Sequence, residues 1–299
     1  MKSDPFKIDV ALDIRAELGE GAIWDSRGSA LLWVDINGHR VARFDPMANG
    51  GAGDNHIWDI GTFPGTVVPM RSGDLLVAVN EGVAKLEMAS GKLGRAFAPE
   101  DFNPRELRFN DGKCDPQGRL VVGTTSLLGE RGKSMLYAYE AGKFRTLLKG
   151  VSISNGVVWS LDGRQMYYID TPTREVAVFD YDVTGGGIGE RRVAVRVPDA
   201  MGFPDGMTID AEGMLWVCLW EGAAVSRWNP ATGELLAKYD VPALHATSCA
   251  FGGADLDTLY ITTARVDTNA DVLAKYPQAG AVFSMKPGVV GVRAVEFAG

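Results

Sequence analysis

The stretch AIWDSRGSALLWVDI at residues 22–36 has the pattern of a β-hairpin. A short apolar run leads into a polar turn that ends in glycine, and a second run rich in aromatic and β-branched residues follows. The same pattern returns five times, as VVPMRSGDLLVAVNE at 67–81, KCDPQGRLVVGTTS at 113–126, VVWSLDGRQMYYIDT at 157–171, MTIDAEGMLWVCLW at 207–220 and CAFGGADLDTLYITT at 249–263.

The turn residues of these hairpins recur at a nearly constant spacing. Successive turn glycines are 45, 45, 45 and 50 residues apart, and an aspartate takes the matching place 42 residues further on. They are Gly28, Gly73, Gly118, Gly163, Gly213 and Asp255. Further strand-like stretches separate the hairpins, so each repeat holds four strands, which is the blade of a β-propeller. The sequence therefore predicts one all-β domain over residues 1–299, a six-bladed propeller of four-stranded antiparallel blades. An irregular β-sandwich gives no reason for the constant period.

Composition and charge narrow the possible functions. A formal net charge of −8 argues against nucleic-acid binding, which needs an excess of Lys and Arg. No run of 18 apolar residues is present, so no membrane span is expected, and MKSDPFKIDV at the N-terminus lacks the apolar core of a secretory signal. The three cysteines are widely spaced with no CxxC, which predicts buried thiols in a reducing cytoplasm. The sequence leaves the oligomeric state open.

The repeat also aligns a set of polar residues. A propeller places the first strand of every blade around one axis, so equivalent positions meet at one depth of the central channel. Eight residues before each turn residue stand Glu20, Gly65, Asn110, Asn155, Asp205 and Thr247. Four of these carry carboxylate or amide oxygens, which converge from different blades.

Converging carboxylates destabilise one another unless a cation lies between them. Oxygen ligands of this kind suit a hard divalent ion: Ca²⁺ is the first candidate, with Mn²⁺ and Mg²⁺ as alternatives, and Zn²⁺ is less favoured without histidine. Asn155-Gly156 and Asp205-Gly206 are also typical hairpin-turn dipeptides. The shared register of four repeats favours the metal site over independent turns.

Other polar residues have simpler interpretations. Arg108 lies two residues before Asn110, so strand alternation places both near the channel mouth. Asp111 and Lys113 are expected on the opposite side, in ion pairs between blades. Cross-strand hydrogen bonding is expected for a second ring, which is Asp35, Asn80, Thr125 and Asp170. The histidines share no repeat position and are interpreted as non-catalytic; they are His39, His56 and His245.

Five motifs in this order resemble the regucalcin/gluconolactonase family over nearly the whole chain. They are LGEGAIWD at 18–25, RFNDGKCDPQGR at 108–119, ISNGVVWSLDG at 153–163, PDGMTIDAEGMLWV at 204–217 and TSCAFGGADLDTLYITTAR at 247–265. The resemblance implies a six-bladed propeller that opens sugar lactones with a bound divalent metal. It implies Glu20, Asn155 and Asp205 as metal ligands, with Asp205 also as acid/base, and Arg108 and Asn110 as groups that hold substrate hydroxyls.

The chain departs from the family at one position. An acidic substrate-binding residue of regucalcin-like members is matched by Leu128, and Glu130 replaces it only if the loop shifts. The expected function is thus metal-dependent hydrolysis of a small-molecule sugar lactone to the aldonic acid. A related propeller esterase or phosphotriesterase, and a non-enzymatic calcium-binding propeller, are the alternatives. The sequence contains neither a G-x-S-x-G motif nor a Ser-His-Asp order, so a covalent acyl-enzyme is not expected.

Overall fold

A computed structural model of the protein describes residues 6–299 and confirms the six-bladed propeller, with six antiparallel sheets. Residues 1–5 lie outside the described residues. They belong to the predicted 1–299 domain and to the N-terminal stretch that lacks the pattern of a secretory signal. The first strand of each blade lines the axis and the later strands follow outward. Within the described range, no helix is long and apolar enough to cross a membrane.

Blades one to three are built from consecutive strands after an initial strand that belongs elsewhere. The initial strand is β1 (Asp9–Leu12). Blade one holds β2 (Gly19–Asp25), β3 (Ala30–Asp35), β4 (Arg40–Asp45) and β5 (Asp54–Asp59), and blade two holds β6 (Pro64–Pro69), β7 (Leu75–Val79) and β8 (Gly82–Leu86). Blade three holds β9 (Leu107–Cys114), β10 (Leu120–Ser126), β11 (Ser134–Glu140) and β12 (Lys143–Val151). Blade two has three continuous strands, and its outer edge pairs through single bridges from Val83 to Phe97 and from Leu86 to Leu93.

Blades four to six complete the ring. Blade four holds β13 (Ser154–Trp159), β14 (Gln165–Asp170), β15 (Glu175–Asp180) and β16 (Arg192–Arg196). Blade five holds β17 (Phe203–Ile209), β18 (Leu215–Trp220), β19 (Ala224–Asn229) and β20 (Glu234–Asp240). Blade six holds β21 (His245–Gly252), β22 (Thr258–Ala264) and β23 (Val282–Met285). The short helices are α1 (Ala48–Gly51), α2 (Ala270–Lys275) and two 3₁₀ turns at Thr171–Thr173 and Asp199–Met201.

The N-terminal strand closes the ring. Strand β1 pairs antiparallel with β23, so the beginning of the described chain supplies the outermost strand of the last blade. This pairing leaves blades one and six side by side, where β2 packs against β21. The closure gives the axial strands a common geometry, on which the site depends.

The core lies between the faces of neighbouring blades. The inner strands β2, β6, β13 and β21 are buried along their whole length, because each packs against both adjacent blades. Aromatic and aliphatic side chains fill the gaps; between blades five and six, for example, Trp216 lies edge-on against Phe251. The three cysteines are buried free thiols, in agreement with their expected role in packing.

The predicted hairpin turns form by the expected chemistry. An aspartate three residues before the turn glycine accepts the backbone N–H two residues later at Asp25, Asp115 and Asp210, at distances of 2.9–3.0 Å. Such side-chain bonds substitute for a backbone turn and hold it tight. The turn residues lie at one end of the ring, and the inner strands begin at the opposite end, which we call the mouth.

Candidate active site on the propeller axis

All six inner strands share one irregularity near the mouth. At this point each inner strand has one residue more than the strand paired with it. The register breaks lie between Glu20 and Ile23, Pro64 and Thr66, Phe109 and Gly112, Ser154 and Val157, Pro204 and Met207, and Ala246 and Ser248. The positions aligned by the sequence repeat fall at these breaks, where a bulge turns side chains away from the normal alternation.

The Asn-Gly and Asp-Gly pairs of blades four and five are therefore not hairpin turns. They lie inside β13 and β17, and their glycines occupy places where neighbouring inner strands nearly touch. A Cβ on Gly206 would lie 2.8 Å from Ser248 Cα. In blade two the same crowding falls on the aligned position itself, since a Cβ on Gly65 would lie 2.5 Å from Phe109 O. Blade two therefore contributes no side chain to the set.

The four aligned polar side chains are buried, and a chain of hydrogen bonds orients the two amides. Arg108 Nη1 donates to Asn110 Oδ1 at 2.6 Å, and Asn110 Nδ2 donates to Asn155 Oδ1 at 3.1 Å. Asn155 Nδ2 donates in turn to Thr171 Oγ1 at 2.8 Å. Because each amide nitrogen is already engaged, the amide oxygens point toward the other members of the set. The structure thus brings together Glu20, Asn110, Asn155, Asp205 and Arg108.

The two carboxyl groups of the set are electrostatically strained. Burial, and secondarily the charge of Asp111, raises the pKa of Glu20 to about 8. Burial also raises the pKa of Asp205 well above its usual range, and the charge of Glu20 adds to this shift. The nearby Arg108 guanidinium lowers both values, and burial lowers its own pKa to about 10. The site therefore holds two buried carboxyl groups whose ionised forms are disfavoured, and Arg108 offsets this only in part.

An unsatisfied oxygen shows where a ligand fits. Asp205 is only 4 % exposed, and its buried Oδ1 has no hydrogen-bond partner among the described residues. Such an atom is rare in a native protein and points to a missing partner. Among residues 6–299 no three His, Cys, Asp or Glu side chains are grouped to hold a metal. The donors of Glu20, Asn155 and Asp205 are instead a mixed carboxylate and amide set, whose oxygens fit a hard divalent cation.

The predicted ion pair of Asp111 between blades is wrong, since the described residues contain no such pair. The charge of Asp111 acts on both Glu20 and Asp205, and its buried Oδ2 has no hydrogen-bond partner within residues 6–299. Lys113 Nζ donates to the carbonyl oxygen of Met207 and is in no ion pair within 4 Å in the described chain. The bulge explains the error, since Asn110 and Asp111 together oppose one residue of β10. In blades four and five a glycine follows the aligned residue, and Asp111 takes that place in blade three. This difference was the signal in the sequence that Asp111 differs from an ordinary strand residue.

The second ring binds backbone rather than neighbouring side chains. The Asp35 carboxylate accepts from the N–H groups of Leu18 and Gly38 at 3.0 Å, and Asp170 accepts from Ile153 N at 2.9 Å. These bonds fix the connections that lead into the inner strands of blades one and four. The ring therefore supports the site indirectly, by holding the mouth connections in place.

The histidines lie apart from the carboxylates. His39 and His56 make edge contacts with Phe63 and Trp58. His245 is buried, its ring stacks on Trp220 at 3.8 Å, and its Nδ1 accepts from a backbone N–H. Burial lowers the pKa of His245, which favours the neutral form of its ring. Their expected lack of a catalytic role stays a prediction.

The chain is similar in sequence and in fold to known proteins. Residues 18–265 match the model of the family described as "SMP-30/Gluconolactonase/LRE-like region". The chain is 38% identical to "Putative sugar lactone lactonase YvrE" of Bacillus subtilis, over 96% of this chain and 97% of that one. It is 36% identical to regucalcin of Danio rerio, over 98% and 99% of the two chains.

A solved structure agrees with these matches. The calcium-binding protein regucalcin of Agrobacterium tumefaciens superposes with a TM-score of 0.91 at 28% identity, covering 98% of each chain. The protein belongs to the SMP-30/gluconolactonase/LRE-like family. This confirms the family resemblance that the five motifs indicate.

Proposed function

We propose that the protein hydrolyses a small-molecule sugar lactone to its aldonic acid with the help of one divalent metal ion. The observation that carries this is the buried, unpartnered Asp205 Oδ1, beside a second carboxylate and an arginine at the mouth. A family model that names gluconolactonase, and a relative named a sugar lactone lactonase, support the same reaction class.

Glu20, Asn155 and Asp205 would hold the metal, because their oxygens converge where negative charge is uncompensated. Ca²⁺ suits these ligands first, with Mn²⁺, Mg²⁺ and Zn²⁺ as alternatives. The chemistry that such an ion supplies is Lewis-acid polarisation of a carbonyl oxygen. A structural neighbour described as calcium-binding supports a cation at this place.

Asp205 would act as the acid/base group. A carboxylate held in a buried site with a free lone pair can accept a proton from an attacking water molecule, and its raised pKa makes it a stronger base. The same group then returns the proton to the ring oxygen when the ester bond breaks. General acid–base catalysis of this kind contributes roughly 10²–10⁴-fold to rates.

Arg108 and Asn110 would bind the substrate. The guanidinium is half-buried and directed into the channel by Asn110, and Asn110 is in turn oriented by Ser154 O at 2.7 Å. Arg108 has further N–H groups to offer, which suits hydroxyl or carbonyl oxygens of a bound lactone. A cation site alone requires no arginine beside it, which favours an enzyme over a calcium-binding protein without activity.

A cytoplasmic location is part of the same proposal. All three cysteines are free thiols in the core, as expected for a protein that folds in a reducing compartment.

The test is a lactone panel assayed by acid release, with metal-stripped protein and with protein to which a divalent ion has been restored. Hydrolysis should require the ion, and restoring the ion should raise the melting temperature, since a ligand at 100 times its Kd stabilises by about 2.7 kcal/mol. Full activity in protein shown by elemental analysis to be metal-free would refute the metal-dependent reaction. Hydrolysis of aryl esters or phosphotriesters without lactones would favour the related esterase instead.

A further inference from the structure

The mouth of the channel carries few groups that can read hydroxyls. The residues two positions before the aligned site residues form a ring around it; they are Leu18, Phe63, Arg108, Ile153, Phe203 and His245. Four of the six are apolar. His245 is buried and stacks on Trp220, and its Nε2 has no hydrogen-bond partner among the described residues, so Arg108 and His245 are the two polar groups of this ring.

Three exposed apolar side chains stand on two neighbouring connections at one side of this ring. Leu127 and Leu128 are 42% and 65% exposed, and Ile153 is 38% exposed. A bridge between Thr125 and Ile153 joins the two connections that carry them. We name Leu127, Leu128 and Ile153 the apolar lip. Exposed apolar side chains indicate a binding surface most clearly where they adjoin a site.

The apolar lip is contiguous with the groups that would bind substrate. Thr125 pairs directly with Arg108 across β9 and β10, and Leu127 N donates to Glu106 O at 2.7 Å. On the other side, Ile153 precedes Ser154, whose carbonyl oxygen accepts from Asn110. A ligand held by Arg108 and Asn110 therefore has the lip as its neighbour toward blades three and four.

The lip favours one kind of ligand surface. A hydroxyl pressed against leucine and isoleucine loses its bonds to water and gains no partner, whereas a methyl group there is removed from water favourably. Glu130, the acid nearest in sequence, is exposed beyond the lip and makes no hydrogen bond or ion pair in the described structure. The structure thus sets a hydrogen-bonding side and an apolar side at one mouth.

We infer that the substrate is a sugar lactone with a deoxygenated or alkylated end, which the apolar lip covers while Arg108 and Asn110 bind the hydroxylated side. This inference rests on the proposed lactonase function and specifies its substrate class. It distinguishes the protein from an enzyme that prefers evenly hydroxylated aldonolactones.

The experiment uses stereochemically matched pairs that differ in one terminal hydroxyl. The pairs are D-gluconolactone with its terminal-deoxy analogue, L-mannonolactone with L-rhamnonolactone, and L-galactonolactone with L-fuconolactone. With metal-loaded protein, kcat/KM for the deoxy member should exceed that of its partner by about five- to tenfold in the pairs that are hydrolysed, the scale of one unsatisfied hydroxyl at a half-exposed contact.

Two variants separate the lip from general effects. The double variant Leu127→Ser, Leu128→Ser should bring the ratio within each pair close to one, whereas Leu161→Ser should leave it unchanged. Leu161 is a matched control because it is 56% exposed but lies beside a turn glycine, at the end opposite the mouth.

The outcomes keep the two proposals apart. Equal rates within pairs, or a preference for the hydroxylated members, would overturn the substrate class and leave the lactonase proposal standing. A ratio that Leu161→Ser lowers as much as the double variant would also overturn it. Hydrolysis of no lactone by the metal-loaded protein would overturn the proposed function and the substrate class with it.

Discussion

Buried carboxylates at the two ends of the channel differ in how well they are paired. At the turn end, Asp115 and Asp210 are fully buried and saturated with hydrogen bonds. Asp115 accepts from Arg119 Nε at 2.5 Å and from the Tyr181 hydroxyl at 2.6 Å, besides two backbone N–H groups. Asp210 is held in the same way, by Arg227 Nε at 2.8 Å, an indole N–H and two backbone groups.

At the mouth end, the buried acids on the axis lack such partners. Within residues 6–299, Asp205 Oδ1 and Asp111 Oδ2 have no hydrogen-bond partner, and the Glu20 carboxylate accepts from the N–H of its neighbour Gly21 at 3.1 Å. Burial alone therefore does not distinguish a structural acid from a functional one. The number of satisfied oxygens does, because an unpaired buried carboxylate lowers stability and persists only where another property depends on it.

The largest expected effect is at the turn end. Asp115→Ala leaves the buried Arg119 guanidinium without its carboxylate, and loss of one partner of a buried pair costs about 3–5 kcal/mol. Urea denaturation should show this loss, while kcat of the remaining folded protein stays near that of the wild type. Asp240→Ala is the control, since that carboxylate is 86% exposed in a surface ion pair and should change stability by less than about 1 kcal/mol.

Substitution at the mouth end should have the opposite pattern. Asp205→Asn keeps the shape of the side chain but removes the proton acceptor, so kcat at saturating metal should fall about 100-fold or more. The stability of the metal-free protein should not decrease, because a buried unpaired acid is removed. Glu20→Gln is the comparison variant, and excess metal should largely restore its activity. If metal restored both variants equally, Asp205 would be a ligand only and another group would be the base.

A smaller effect is expected for the arginine between the two acids. Arg108→Ala should raise KM for a lactone about tenfold or more, because the group that binds substrate oxygens is lost, while metal affinity changes little. Steady-state kinetics with a parallel metal titration would measure both. An unchanged KM with a lowered melting temperature would assign Arg108 to packing between blades.

A further expected effect is a pH dependence of stability in metal-stripped protein. The pKa of Glu20 is about 8 in the folded state and 4.5 as the reference value for the unfolded chain. Between these pH values the folded state binds more protons, so the free energy of unfolding falls as pH rises, by about 1.4 kcal/mol per unit for one proton. Chemical denaturation across this range should show the slope in wild type and a weaker slope in Glu20→Gln. A flat profile in metal-free wild type would contradict the uncompensated charge.

The architecture and most of the site could be predicted from the repeat. Hairpins of constant spacing specify blades, and a ring of blades brings equivalent positions together, so Glu20, Asn110, Asn155 and Asp205 could be aligned by counting from the turns. The same register identified the second ring, although its aspartates bond to backbone N–H groups of the connections rather than across the strands. These predictions succeed because they depend on local pattern and period, which the chain carries in its sequence.

Only the tertiary structure decided how the side chains on the axis are directed and satisfied. Strict alternation predicts Asp111 on the side opposite Asn110. The bulge adds a residue to every inner strand, and the charge of Asp111 acts on Glu20 and Asp205. Closure by β1 and the hydrogen-bond chain from Arg108 to Thr171 join residues that are distant in sequence. The lack of a partner for Asp205 Oδ1 likewise depends on which residues surround it in the fold. The sequence by itself determined which residues meet at the axis. Their pairing depends on packing of six blades at once, and no local pattern records that packing.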